Sequence, residues 1–216
     1  MLFEIVTEIK LGVSIPWSGT NWDAGRRFAS GILIAVDRIN NDPTLLPGYN
    51  VTFVWKDSKC EESVSLTVAV DMYMLVKPAL HALIGPACSD GCKAVGYLAN
   101  HWNVPIISYG CGSEELSNKA KFPTFVRTVG VYSKSGDIFV QLMKWYSWHR
   151  IAILTPTSAI WTSIMNGVRR EVEKNKNMKI AYYQNFNPAT VPNAFIVDML
   201  KTAKTKSHGK SSSICP

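Results

Sequence analysis

The chain has 216 residues, enough for one large or two small domains with cores of their own. Its 47% apolar and 18% charged content exclude a disordered polypeptide. The formal charge is +7, yet residues 1–166 carry 14 Lys+Arg against 13 Asp+Glu, so the excess lies in two stretches, Arg169 to Lys179 and Lys201 to Lys210. That distribution reads as solvated surface and tail, and no nucleic-acid partner is expected. No run of about 18 apolar residues exists, so no segment is expected to span a membrane.

The opening residues carry Glu4 and Glu8 and lack a basic n-region and a cleavage site. They read as a lead-in to a strand rather than a signal peptide. Ile9 to Ile15 is the first expected strand, closed by Pro16-Trp17-Ser18-Gly19. Thr20 or Asn21 is expected to cap the next helix, with Asp23 in its first turn. Phe28, Ile32, Val36 and Ile39 fall at helical spacing and predict one buried face, and Asn40-Asn41-Asp42-Pro43 stops that helix. Val51 to Trp55 is the second strand, preceded by the glycosylation sequon Asn50-Val51-Thr52. Ser63 opens a helix with Leu66, Val70, Tyr73 and Lys77 on one side, ended by Pro78.

The most informative stretch follows. A strand ends at Ile84, a tight Gly85-Pro86-Ala87-Cys88 turn leads into a helix near Ser89-Asp90, and Val104 to Ser108 is the next strand. Thr124 to Arg127 is a short last one. Strands joined by connections of helical length predict a parallel sheet with helices on both faces, hence an α/β fold. Right-handed crossovers place all strand C-termini on one edge, where open α/β sheets bind ligands. After Gly130 the pattern restarts. A helix over Ser135 to Trp148 has Ile138, Leu142 and Tyr146 in register, and Ile151 to Leu154 is a strand. Trp161, Ile164, Val168 and Val172 mark another helix, Lys179 to Tyr183 a strand, and Pro192 opens a helix through Phe195, Met199 and Ala203. The chain then ends where another apolar strand is due, which leaves an expected uncovered sheet edge.

Enzyme motifs fail one after another, and no catalytic residue is nominated. GPACSDGCK at 85–93 lacks the phosphate-loop spacing and is followed by Ala94 where a hydroxyl residue is needed. No G-x-G-x-x-G or G-x-S-x-G occurs. The four His, at 81, 101, 149 and 208, are scattered, so no metal site is expected. A flavodoxin-like enzyme domain is therefore a remote alternative.

IGPAC at 84–88, HWNVPIISYGC at 101–111 and LSNKAKFPTFVRT at 116–128 resemble the ligand-binding region of receptors built on the type I periplasmic-binding fold, the ANF-receptor family. DAGRRFASGILIAVDRIN at 23–40, HW-x-VP and the paired cysteines resemble receptor guanylyl cyclases and natriuretic-peptide receptors. The SY-x5-LS-x-K pattern is shared with class C receptors, the alternative reading. The resemblance implies a first lobe over residues 9–129, part of a second over 130–205 and a basic, Ser-rich tail at 206–216. It implies an extracellular ligand-binding region of a single-pass receptor at the plasma membrane, a peptide or small-molecule ligand, and a homodimer in the intact receptor. Kinase-like and cyclase segments, and any GTP-cyclising activity, would belong to a longer parent protein. A domain of secreted character without a signal peptide is expected to be a fragment, a chain with a misassigned start or a splice form.

The resemblance also implies a Cys60–Cys88 bridge, which would stabilise the fold by roughly 3–4 kcal/mol in the chain-entropy account. Cys92 and Cys111 are the remaining local pair, although four cysteines allow three pairings. Cys215 has no obvious partner. No cofactor is expected, but the natriuretic receptors imply a chloride ion held here by the amides of Ala87 and Cys88 and the hydroxyl of Ser58. The bland counterpart is a helix start capped by Ser89 or Asp90. Ligand-facing candidates, just past strand ends, are Trp17, Ser18, Ser89, Asp90, Ser108, Tyr109 and Ser113. Asn50 is the glycosylation candidate.

Overall fold

The computed structural model describes residues 7–19, 22–76 and 80–207. The chain divides into two compact units at Gly130. Thr20, Asn21, Lys77, Pro78, His208 and Cys215 lie outside the described residues, and with them the expected helix cap, the proline stop and most of the tail.

The first unit is a five-stranded, all-parallel sheet of order β2-β1-β3-β4-β5. Its strands are β1 (Thr7–Ile15), β2 (Tyr49–Asp57), β3 (Ala82–Ile84), β4 (Ile106–Ser108) and β5 (Phe125–Arg127). Helix α1 (Gly25–Asn41) connects β1 to β2, α2 (Glu62–Leu75) connects β2 to β3, and α3 (Ser89–Trp102) connects β3 to β4. Chain order runs outward from β1 to β2 and then back across to β3. Right-handed crossovers thus put α1 on one face and α2 with α3 on the other.

The face under α2 and α3 holds the core. Leu83, Ile106 and Phe125 are register neighbours on β3, β4 and β5, and pack against Val68, Ala69 and Met72 of α2 and Cys92, Val95 and Ala99 of α3. Two small residues of α3 set how close it comes to its neighbours, α2 and the loop before β5. A side chain at Gly91 would meet Ser65 Oγ at 2.4 Å, and one at Gly96 would meet the Phe122 ring at 2.8 Å. The expected α2 face is corrected here: Leu66 and Val70 are exposed and Tyr73 is half-buried, while Ser65, Val68, Ala69 and Met72 are buried. The helix is apolar nearly all round, so its periodicity carries no side; the close approach to Gly91 selects one.

The opposite face is covered less. Val13, Ile15 and Val51 are buried, but Ile84 and Ile107 are half-buried and Val126 is exposed. Phe28, expected on a buried stripe of α1, is exposed, and Ile32, Val36 and Ile39 are only half-buried. Asp23 precedes the helix rather than lying in its first turn. The expected stop holds, with α1 ending at Asn41 ahead of Asp42-Pro43, and Asn40 has a further role. It sits inside α1 and binds the edge strand through Nδ2–H to Val51 O (2.8 Å) and Val51 N–H to its Oδ1 (2.8 Å), satisfying backbone groups of an otherwise open edge.

The second unit pairs β6 (Arg150–Pro156) with β7 (Lys179–Phe186) in parallel. Helices α4 (Ser135–Trp145) and α5 (Ala159–Glu173) pack together on one side, and α6 (Asn193–Lys206) lies against both strands. Arg169 of α5 sits over Tyr183 and Lys206 of α6 over Tyr182, so α5 and α6 cover opposite faces, because neighbouring strand residues alternate. The expected α4 face is also corrected: Ile138, Leu142 and Tyr146 are exposed, and Gly136, Val140 and Met143 are buried. The cause is a glycine seam, since a side chain at Gly136 would lie 2.4 Å from the Gly167 backbone. The helix ends at Trp145, not Trp148, because Ser147 adopts φ +54° and Trp148 N–H returns to Met143 O (2.8 Å).

Candidate functional site

The loops that follow β1 to β4 meet at the C-terminal edge of the five-stranded sheet and are tied to one another. Gly85 has φ +87°, and a side chain there would strike Ser14 O at 2.2 Å; one at Gly110 would strike Ala87 O at 2.6 Å. Only glycine permits backbones this close.

The β1 and β2 loops are joined by Asp57. Its carboxylate accepts the Trp17 N–H (2.9 Å), the Ser18 N–H (3.2 Å), the Ser18 hydroxyl (2.6 Å) and the Lys59 N–H (2.9 Å). Partial burial pushes this carboxyl up, but the hydrogen bonds from Ser18, Lys59 and Trp17 outweigh it and hold the group below the usual range. Ser18 is thus engaged within the loop. The Trp17 ring lies 5.3 Å from that of Trp55, tilted by 40°, with the Arg26 guanidinium 5.6 Å over it.

Tyr109 donates its hydroxyl to Ser14 O (3.2 Å), and burial raises its phenol. Its ring lies 5.5 Å from Phe28, itself 5.8 Å from Trp22. Phe28, Trp22 and Trp55 are exposed, so the rim of the sheet edge is aromatic. Ser108 is fully buried: its hydroxyl donates to Pro86 O (2.7 Å) and accepts the Cys111 N–H (3.1 Å). Ser89 is buried and accepts the Ser113 N–H (3.3 Å), while buried Ser113 gives its carbonyl to Arg127 Nη1 (2.8 Å). Asp90 is half-buried in the first turn of α3, with Lys93 at 3.8 Å. The three serines build the wall of the edge, and the aromatic group with Arg26 forms its surface. Sequence reading missed Asp57, Trp55, Arg26, Trp22, Phe28 and Arg127. Asp57 and Arg127 had a usable signal, a charged residue ending an apolar strand at the ligand edge.

Two disulfides staple the same loops. Cys60 is bridged to Cys88 with Cα atoms 5.4 Å apart, and Cys92 to Cys111 at 6.4 Å. The second is fully buried and the first half-buried. The N-cap of α3 is Cys88, with no side-chain cap from Ser89 or Asp90. Ala87 is buried beside it. Ser58 is 1% exposed, and its hydroxyl has no hydrogen-bond partner; the buried Ser14 and Ser65 hydroxyls are orphaned in the same way. An unpaired buried hydroxyl costs free energy that a small anion or water would recover. Among the described residues there is no group of His, Cys, Asp or Glu suited to a metal, and no helix is long and apolar enough to cross a membrane. Asn50 is exposed near the start of the edge strand β2.

The site is thus a parallel sheet edge whose loops are stapled together behind an aromatic rim. Residues 28–210 match the receptor family ligand binding region, and the chain belongs to that family. Its fold is accordingly of the periplasmic-binding-protein-like type. Among its relatives are the resact receptor of Arbacia punctulata, 26% identical over 84% of this chain, and retinal guanylyl cyclase 2 of Homo sapiens, 28% identical over 74%. The gamma-aminobutyric acid type B receptor subunit 1 of Mus musculus is 28% identical over 82%. The chain spans 18%, 14% and 18% of the lengths of these three relatives.

Proposed function

We propose that the chain is an extracellular ligand-binding region of a single-pass signalling receptor of the guanylyl cyclase type, taking a peptide or small molecule. Residues 9–129 serve as its first lobe, 130–205 as part of the second, and 206–216 as a tail. The observation that carries this reading is the loop edge of the five-stranded sheet, closed by two disulfides of a kind that persist in oxidising compartments. The ligand meets the edge built by Trp17, Ser18, Ser89, Asp90, Ser108, Tyr109 and Ser113, with the exposed aromatic side chains as contact surface. A chloride ion sits at Ser58, Ala87 and Cys88; the orphaned Ser58 hydroxyl supports it. Cyclase activity and homodimerisation belong to the longer parent.

Similarity to a type B gamma-aminobutyric acid receptor supports a second reading, a class C receptor domain. Thermal-shift titration of the purified chain with extracellular peptides and with gamma-aminobutyrate and glutamate separates the two. Stabilisation by peptide alone supports the first, and stabilisation by an amino acid alone replaces it with the second. Chain routed into the secretory pathway that is retained in the cell rather than secreted counts against an extracellular setting.

A further inference from the structure

The second unit carries the chain's positive charge: residues 131–207 hold 11 Lys+Arg against 4 Asp+Glu. The fold gathers these cations at one end. The N-terminal edge of β6 and β7 receives the C-termini of α4, α5 and α6, because each helix runs back against the strands. Lys144 lies in the last turn of α4, Lys174 is the C-cap of α5, and Lys204 and Lys206 end α6. Arg150 and Lys179 face each other in register at the strand starts, and Arg150 Nη2–H donates to Lys206 O (2.7 Å), which places the α6 terminus at the same edge. All of these side chains, with Lys176, are exposed.

The carboxylates beside these cations among the described residues are few: Glu171 pairs with Lys174 at 2.6 Å and has Asp137 next to it, and Glu173 pairs with Arg169 at 3.6 Å. Lys144, Lys176, Lys179 and Lys204 form no salt bridge among the described residues. Three helix C-termini contribute roughly half a negative charge each, which offsets only part of the excess. Helix-end compensation therefore does not account for the number of cations.

The charged edge is not flat. A groove of about 250 Å³ opens there, lined by Lys144, Trp148, His149, Asn175, Lys176 and Asn177. Trp148 stacks on Tyr146 at 5.1 Å, both rings are exposed, and Trp145 beside them is 84% exposed. Cations, amides and exposed aromatic rings along one edge match the three parts of a sulfated sugar chain: its sulfates, its hydroxyls and its apolar ring faces. An anionic lipid surface would use the cations and rings but leave the amide-lined groove without a role.

We propose that this edge of the second unit is a docking surface for a sulfated polysaccharide of the glycosaminoglycan class. The choice among polyanions rests on the extracellular reading above; the basic edge itself does not. The test uses the full chain, a heparin octasaccharide in titration, and heparin and plain sulfonate columns run side by side. Lys144→Ala/Lys176→Ala/Lys179→Ala is expected to weaken octasaccharide binding at least about tenfold and to flatten its salt dependence by about three charges. An equal-charge control on the first unit, Arg27→Ala/Arg38→Ala/Lys121→Ala, is expected to change little. Lys176→Glu alone, at an exposed site, should repeat the loss with unchanged circular dichroism. Equal losses for both triple variants, or equal behaviour on the two columns, would overturn the proposal in favour of bulk charge. Binding to phosphatidylserine vesicles without octasaccharide binding would overturn it in favour of a membrane. Failure on heparin with an Asn50 glycan present sinks this inference alone and leaves the extracellular reading standing.

Discussion

Asp57 is the residue whose removal should do most to loosen the candidate site, and the size of the effect follows from its partners. Four donors from two loops converge on this carboxylate, and the Trp17 amide is the partly buried one. A shielded hydrogen bond to a charged acceptor contributes roughly 1.5–3 kcal/mol. Each exposed one contributes on the order of 0.5 kcal/mol, because water replaces the acceptor. Asp57→Ala is therefore expected to destabilise the first unit by about 3–4.5 kcal/mol at pH 7. In urea this moves its midpoint down by about 1–2 M. The folded-state carboxyl is depressed, so its contribution is present above the unfolded value of about 3.9 and is lost as pH falls through the lower folded value. Asp57→Asn should thus be weaker than the wild type at pH 7 and converge on it once pH falls below the depressed folded value. Equilibrium urea unfolding, followed by tryptophan fluorescence across that pH range, measures both effects. A loss under about 0.5 kcal/mol for Asp57→Ala, or a gap to Asp57→Asn that does not change with pH, would refute the reasoning.

A side chain at Gly167 would fall 1.9 Å from Ser133 O, so Gly167→Ala should cost the second unit about 2–4 kcal/mol, whereas Gly31→Ala, with open space around it, should be neutral or stabilising; thermal melts compare them. Reductant should open the half-buried Cys60–Cys88 bridge before the buried Cys92–Cys111, and loss of either removes about 3–4 kcal/mol, with alkylation and mass mapping giving the order. Chloride should raise the melting midpoint of the chain over gluconate at equal ionic strength, and Ser58→Ala should abolish that difference; an unchanged difference in the variant would remove Ser58 from the halide site.

What could be read from the sequence alone was the succession of elements and the edge at which the candidate site is built. Apolar runs separated by helical lengths specify a parallel sheet, and its strand C-termini then fall together whatever the side-chain details. The turns at Pro16 to Gly19 and Gly85 to Cys88 therefore could be nominated from spacing. The buried faces of α2 and α4 could not. Both helices carry apolar residues on more than one side, and their orientation is selected by the contacts of Gly91 with Ser65 and Gly136 with Gly167, between residues 26 and 31 positions apart. The same holds for the site. Ser18 reads as an available hydroxyl until the tertiary structure brings Asp57 to it, and Ser108 until Pro86 O does. The cations of α4, α5 and α6 look like scattered surface charge until the antiparallel run of each helix delivers them to one edge. Local sequence specifies the period and the turn; only packing decides which polar group finds a partner and which stays free.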